Sequence, residues 1–333
     1  MAIRTDRDRR NAEDLAHCRH RPTGERQHAS RCGRGHARRP LDLARLDAAI
    51  APFDGATRAQ VRRVIARGRS LGRRPRVFGL VGDSVTADPR FLGAFSSSTP
   101  DTFHLMPQVR ERLRTTVGYD STATIIDYYR GQDAQQGRDS FRADRAARDG
   151  AHSTWALPKT ATDAAPLVSM VRTLSPAVAI VMYGSNDGTT RFVPLDELAA
   201  RFERQMTRIV DRLEEEGVVP VLSTLPRHLS DPTHPPCDTG PGDLSNWRWA
   251  VQNSRLSAVV AELACRRHLP LIDLRYAMDG LVHFGIGPDG SHPNSFQGGS
   301  ARLDEDGLQC GFNVRNYLTL RMLTQLEELL EAN

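Results

Sequence analysis

The sequence predicts an α/β protein, a three-layer α/β/α sandwich with a parallel sheet of about five strands. Two observations lead there. Short apolar runs without a helical period, such as 76–81 (Arg-Val-Phe-Gly-Leu-Val) and 177–182 (Ala-Val-Ala-Ile-Val-Met), are bounded by turn residues and read as strands buried on both faces. Between such runs lie longer stretches with apolar residues every three or four positions. Strand and helix alternate five times, the pattern of a parallel sheet with helices on both sides.

The elements follow in order. Residues 41–70 carry Leu41, Leu43, Leu46, Ala49 and Ile50, then Val61, Val64 and Ile65, at helical spacing, with a break at Phe53-Asp54-Gly55. Residues 76–81 form the first expected strand and 109–117 a helix. Residues 123–129, with Ile125, Ile126 and two tyrosines, read as a second strand. A helix over 167–174 stops at Ser175-Pro176, and 177–182 is the third strand. An amphipathic helix over 195–216 ends at Gly217, and strand 218–225 follows. Helix 244–268, strand 269–274 and a final helix over 313–332 complete the chain. The last helix repeats Leu318, Leu320, Leu323, Leu326 and Leu330 along one side.

Composition removes several classes. Residues 1–40 hold eleven arginines and five acids, a net +6, while the remainder carries 34 basic and 35 acidic groups. The overall +5 therefore comes from the N-terminal segment, and the rest has no global charge that argues for nucleic acid. Residues 1–40 have too few apolar groups to fold alone and read as a disordered, Arg-rich extension. Residues 41–74 read as a helical addition and 75–333 as the main domain. Cys18, His20, His28, Cys32 and His36 match no zinc spacing, so no metal is expected. No run of 18 apolar residues occurs, so no membrane span is expected. The N-terminus lacks the apolar core of a secretory signal. One lysine beside 44 arginines suggests GC-rich coding DNA, where start sites are easily misjudged, so export stays open.

Ligands of parallel sheets bind at the carboxyl ends of the strands. Three polar clusters fall at or near such ends: Gly82-Asp83-Ser84-Val85, Gly184-Ser185-Asn186-Asp187, and Asp289-Gly290-Ser291-His292. Together they suit acyl transfer. A serine hydroxyl needs a base to take its proton, and His292 can be that base for Ser84. Asp289, three residues earlier, can fold back to orient the imidazole. Asn186 and backbone N–H groups can stabilise an oxyanion.

The set resembles the SGNH hydrolases, the GDSL-type esterase/lipase superfamily, over about residues 75–333. The resemblance implies an α/β/α, flavodoxin-like fold and ester hydrolysis through nucleophile Ser84. It implies an oxyanion hole from Ser84 N–H, Asn186 and a glycine, the Asp289–His292 pair, and no cofactor. The first block reads Gly-Asp-Ser-Val instead of Gly-Asp-Ser-Leu. The second block is Gly150, in Arg-Asp-Gly-Ala-His-Ser-Thr-Trp, in preference to Gly131, which directly follows the expected second strand. Asp83, Gly184 and Asp187 are supporting residues.

The expected partner is a small-molecule or carbohydrate ester, with no nucleic acid and no membrane; oligomeric state is open. An acyltransferase on the same fold and a catalytically silent carbohydrate-binding protein are the rivals. Trp155, His228, His234, Trp247 and His283 are candidates to line a cleft. The proline-rich segment 230–243 is a candidate for its entrance. Cys237 and Cys310 fall in expected loops and form one candidate disulfide, whereas Cys265 lies on an apolar helix.

Overall fold

Apolar runs become the sheet because only a sheet buries both faces of so short a segment. The computed structural model describes residues 41–97, 103–115, 122–130, 139–142, 146–158, 164–189, 193–229, 247–297 and 299–332. Its strands are β1 (Arg74–Gly82), β2 (His104–Leu105), β3 (Ala146–Ala147), β4 (Pro176–Met182), β5 (Val219–Ser223), β6 (Leu271–Ile272) and β7 (Arg302–Leu303). The main sheet has five strands in the order β3-β1-β4-β5-β6, and every pairing is parallel. Strands β2 and β7 form a separate parallel pair.

The helices used below are α1 (Leu43–Asp47), α2 (Gly55–Ser70), α3 (Ser84–Ala87), α4 (Pro107–Arg112), α5 (Ile125–Arg130), α6 (Ser153–Ala156), α7 (Pro166–Leu174), α8 (Leu195–Glu215), α9 (Trp247–Arg267), α10 (Leu274–Met278) and α11 (Gly311–Glu331). None of the described helices is long and apolar enough to cross a membrane.

The period-two alternation of a strand divides the core in two. Phe78 and Leu80 of β1 join Val178 and Ile180 of β4 on one face, where α2, α5 and α11 cover them. Val77 and Val81 join Ala179 and Val181 on the other, under α7, α8 and α9. Helices therefore flank the sheet on both sides, the three-layer arrangement expected from the alternation. Each fully buried aliphatic or aromatic side chain contributes about 1.5–3 kcal/mol relative to an exposed one. The α1–α2 segment packs on the first face through Leu46, Ile50, Val61, Val64 and Ile65, so residues 41–74 share the domain's core.

Two sequence expectations fail. Residues 123–129 are not a strand: Ile125–Arg130 is helix α5. Thr124 N–H and Oγ1 both donate to the Asp127 carboxylate, at 2.8 and 3.0 Å. These two bonds start a helix and outweigh the strand preference of Ile and Tyr. The strand that follows β1 in the sheet is the two-residue β3. The second, the candidate Cys237–Cys310 bridge, is not formed: Cys310 is in no disulfide. Cys310 keeps its thiol, and Cys265 on α9 is disulfide-bonded. Cys265 is only half-buried at the edge of its helix, so an apolar helix did not seal it in the core. Cys237 lies outside the described residues, as do residues 1–40.

Candidate active site

The carboxyl end of β1 sets the position of Ser84. A Cβ on Gly82 would lie 2.3 Å from Thr86 Oγ1 and 2.5 Å from the Met182 carbonyl oxygen. Only glycine lets the chain turn so close to β4. Asp83 caps the four-residue helix α3, accepting the Val85 N–H at 3.2 Å, and Ser84 is its first residue. Asp83 is fully buried, and burial pushes its carboxyl up to about 6. The Arg315 guanidinium, the Val85 N–H and the Ser185 hydroxyl pull it back, while the Asp187 charge adds to the rise.

The loop after β4 begins at Gly184, at φ +135°, where a Cβ would collide with Leu225. It then carries Ser185, Asn186 and Asp187. Asp187 is buried, and burial raises its carboxyl; Ser153 opposes this, donating its N–H at 3.0 Å and its hydroxyl at 2.6 Å. Asn186 Nδ2 donates to the Ala151 carbonyl at 3.3 Å. Three bonds thus tie the loop after β4 to the loop after β3. Gly150 sits in that second loop, three residues beyond Ala147, at φ +68°. The Arg148 N–H donates to the Gly82 carbonyl at 3.2 Å, keeping this loop beside the Ser84 turn. Gly131 lies outside the described residues. With 125–130 helical, the strand that made it a neighbour of the sheet end is gone.

The third cluster folds back on itself. Asp289 Oδ1 accepts the N–H groups of Ser291 and His292, both at 3.0 Å, which is an Asx-type turn. This leaves Oδ2 2.7 Å from His292 Nδ1. His292 Nε2 lies 2.9 Å from Ser84 Oγ. Partial burial would raise the Asp289 carboxyl, but the two backbone donors and the His292 ring hold it below the ordinary value. An ionised Asp289 accepts from Nδ1–H, so Nε2 is the acceptor that faces the serine hydroxyl. The loop is braced from outside: Leu229 N–H donates to the Gly290 carbonyl at 3.0 Å, and Asn294 N–H to the Gly285 carbonyl at 2.8 Å.

Ser84, Asn186, Asp289 and His292, which lie in three distant parts of the sequence, therefore stand around one strand-end edge, with Asp83, Gly184 and Asp187 beneath them. Of the cleft candidates, His228 stacks on Trp249, ring centres 5.0 Å apart, and Trp249 Nε1 donates to the Ser185 carbonyl at 2.9 Å. Trp155 is half-buried under the Arg148 guanidinium, 4.8 Å from its ring centre. His283 is in a left-handed turn. His234, the Trp247 side chain and segment 230–243 lie outside the described residues. Among the described residues no cluster of His, Cys, Asp and Glu is arranged to hold a metal.

Sequence reasoning missed Ser153, Trp249 and Arg315. Nothing local marks Ser153 or Trp249, whose partners are 34 and 64 residues away. Arg315 had a signal: it stands three residues before Leu318, in line with the apolar stripe of the last helix.

A family model described as GDSL-like lipase/acylhydrolase matches residues 78–296. Among solved structures, the chain is similar to a lipase/acylhydrolase from Enterococcus faecalis, at 16% identity and TM-score 0.41, over 74% of this chain and 95% of that one. It is also similar to a peptidoglycan O-acetylesterase, at 15% identity and TM-score 0.37, over 57% of this chain and 47% of that one. Among curated protein sequences nothing matches.

Proposed function

The chain belongs to the GDSL-like lipase/acylhydrolase family and hydrolyses esters, and we propose that it does so through an acyl-enzyme on Ser84, with acetyl esters of carbohydrates as substrates. The observation that carries this reading is the unbroken relay from Ser84 Oγ to His292 Nε2, at 2.9 Å, and from Nδ1 to Asp289, at 2.7 Å. As Ser84 Oγ attacks the ester carbonyl, its proton passes to Nε2 and Asp289 stabilises the imidazolium. The carbonyl oxygen becomes an oxyanion, bound by the N–H groups of Ser84 and Gly150 and by the Asn186 amide. Collapse expels the alcohol, which takes the proton from Nε2. Water, deprotonated by His292, then attacks the acyl carbon and releases the acid and free Ser84.

The carbohydrate assignment rests on Trp155 and Trp249, half-buried beside the loops after β3 and β4. Arg148 and His228 each take one face of these rings, and the opposite flat face, next to a polar site, suits the apolar face of a sugar ring. The test is hydrolysis of p-nitrophenyl acetate and of acetylated oligosaccharides by wild type and Ser84→Ala, with fluorophosphonate labelling of both. Wild-type turnover and labelling, both lost in Ser84→Ala, are expected. A labelled Ser84→Ala variant would overturn the nucleophile. Turnover of p-nitrophenyl acetate with no acetate released from the oligosaccharides would overturn the substrate class.

A further inference from the structure

We propose that Arg315, on the last helix, is a positioning residue for the nucleophile, acting on Ser84 by clamping the turn that carries it. The proposal rests on the reading of Ser84 as nucleophile. Helix α3 has four residues. One turn cannot hold its own geometry in water, so the orientation of Ser84 must be fixed from outside. Arg315 does this. Its side chain is buried at 1% exposure. Nη1 donates to the Val85 carbonyl at 2.6 Å and Nη2 to Thr86 Oγ1 at 2.9 Å. The guanidinium lies 3.5 Å from the centre of the Phe91 ring.

The same turn of α11 continues the grip. Asn316 accepts the Leu92 N–H at 2.9 Å and donates to the Arg90 carbonyl at 3.0 Å. Asn313 holds the chain beyond His292, accepting the Phe296 N–H at 3.1 Å and donating to the Gly299 and Arg302 carbonyls at 3.0 and 2.8 Å. The segments carrying nucleophile and base are thus referred to one turn of one helix, although 208 residues separate Ser84 and His292. Burying a guanidinium forfeits its hydration, and an apolar side chain of similar size would serve stability at least as well. What the apolar residue cannot do is hold Val85 and Thr86 at fixed distances.

Arg315 also balances the buried Asp83, which would otherwise be harder to ionise. The other groups facing Asp83 are the Ser185 hydroxyl and the Asp187 carboxyl, from the loop after β4, and Tyr183, whose phenol feels the Asp83 charge. Ionised Asp83 keeps its bond to the Val85 N–H strong, so both groups steady the same turn.

The experiment compares full-length wild type, Arg315→Met, Arg315→Lys, Thr86→Val and Ser84→Ala. It measures fluorophosphonate labelling rate, kcat and KM for p-nitrophenyl acetate across pH, and thermal melting. A misplaced nucleophile costs about 10–10²-fold in rate. Arg315→Met is expected to lose that much in kcat and labelling rate with KM unchanged, and its acid limb moves to higher pH because Asp83 has lost its cation. Arg315→Lys restores the acid limb but only part of kcat, since one ammonium does not reproduce the planar fork. Wild-type kcat and acid limb in a folded Arg315→Met overturn the proposal. If Arg315→Met does not fold, Thr86→Val decides: a lower kcat at unchanged KM supports it, and wild-type kcat overturns it. Labelling of Ser84→Ala would instead show that the nucleophile reading itself is wrong.

Discussion

Replacing the Asp289 carboxylate by an amide tests the relay at its most local link. In Asp289→Asn the remaining Oδ1 still accepts the Ser291 and His292 N–H groups, now held at 3.0 Å, so the turn survives. The group facing His292 Nδ1 at 2.7 Å changes from acceptor to donor. Nδ1 must then carry the lone pair, the ring proton moves to Nε2, and Nε2 no longer accepts from Ser84. In a deeply buried triad this error costs about 10⁴ in kcat. Here the Asp289 and His292 side chains are 52% and 35% exposed, so water can compete for Nδ1 and soften the error. We expect a loss of about 10³-fold in kcat, ~4 kcal/mol of barrier, with KM unchanged. The assay is steady-state hydrolysis of p-nitrophenyl acetate at neutral pH, with circular dichroism to establish the fold. A folded Asp289→Asn enzyme with near-wild-type kcat would refute the reasoning.

Three further outcomes follow from the same geometry. Asn186→Ala removes a proposed oxyanion donor and is expected to lower kcat about 10²–10³-fold with little effect on KM; stopped-flow acylation by p-nitrophenyl acetate reads the step directly. Gly82→Ala places a methyl 2.5 Å from the Met182 carbonyl, an immovable neighbour. It should cost about 3 kcal/mol and lower the melting temperature by roughly 6–12 °C, measured by calorimetry. Asp83, pushed up to about 6 from an ordinary 3.8, holds in the folded state a proton that the unfolded chain releases. Stability is therefore lost as pH rises from about 4 to about 6, by ~3 kcal/mol. Asp83→Asn should remove this slope, seen as the difference between wild-type and variant urea unfolding at about pH 4 and about pH 7.

What the sequence showed plainly is what depends on neighbours in the chain. β1 and β4 are apolar without a helical period, and both lie in the sheet as expected. Asp289 and His292 are three residues apart, and a single turn joins them. Ser84 and Asn186 were found because each follows a strand that could be recognised by itself. Residues 123–129 were misread because Ile and Tyr favour strands, while the deciding contact, Thr124 with Asp127, is a helix-start signal that their hydrophobicity obscured. Gly131, the less favoured candidate for the second block, owed its place to that strand and lies outside the described residues. β3 escaped notice because two alanines make no apolar run.

The remaining features are illegible for a different reason: they are long-range and polar. Ser153 meets Asp187, and Arg315 meets Val85, across 34 and 230 residues. Periodicity reports which face of a helix is buried, but not what a polar residue on that face will meet. On α11 the buried face carries Asn313, Arg315 and Asn316 ahead of its leucines, all at 1% exposure or less. The leucines hold the helix against the sheet; the three polar residues use that fixed platform to hold backbone groups of the Ser84 and His292 segments. A site assembled from loops at a sheet edge needs such a reference. Two loops that each moved by an ångström would separate Ser84 Oγ and His292 Nε2 beyond hydrogen-bond reach, whereas loops bonded to one rigid helix move together.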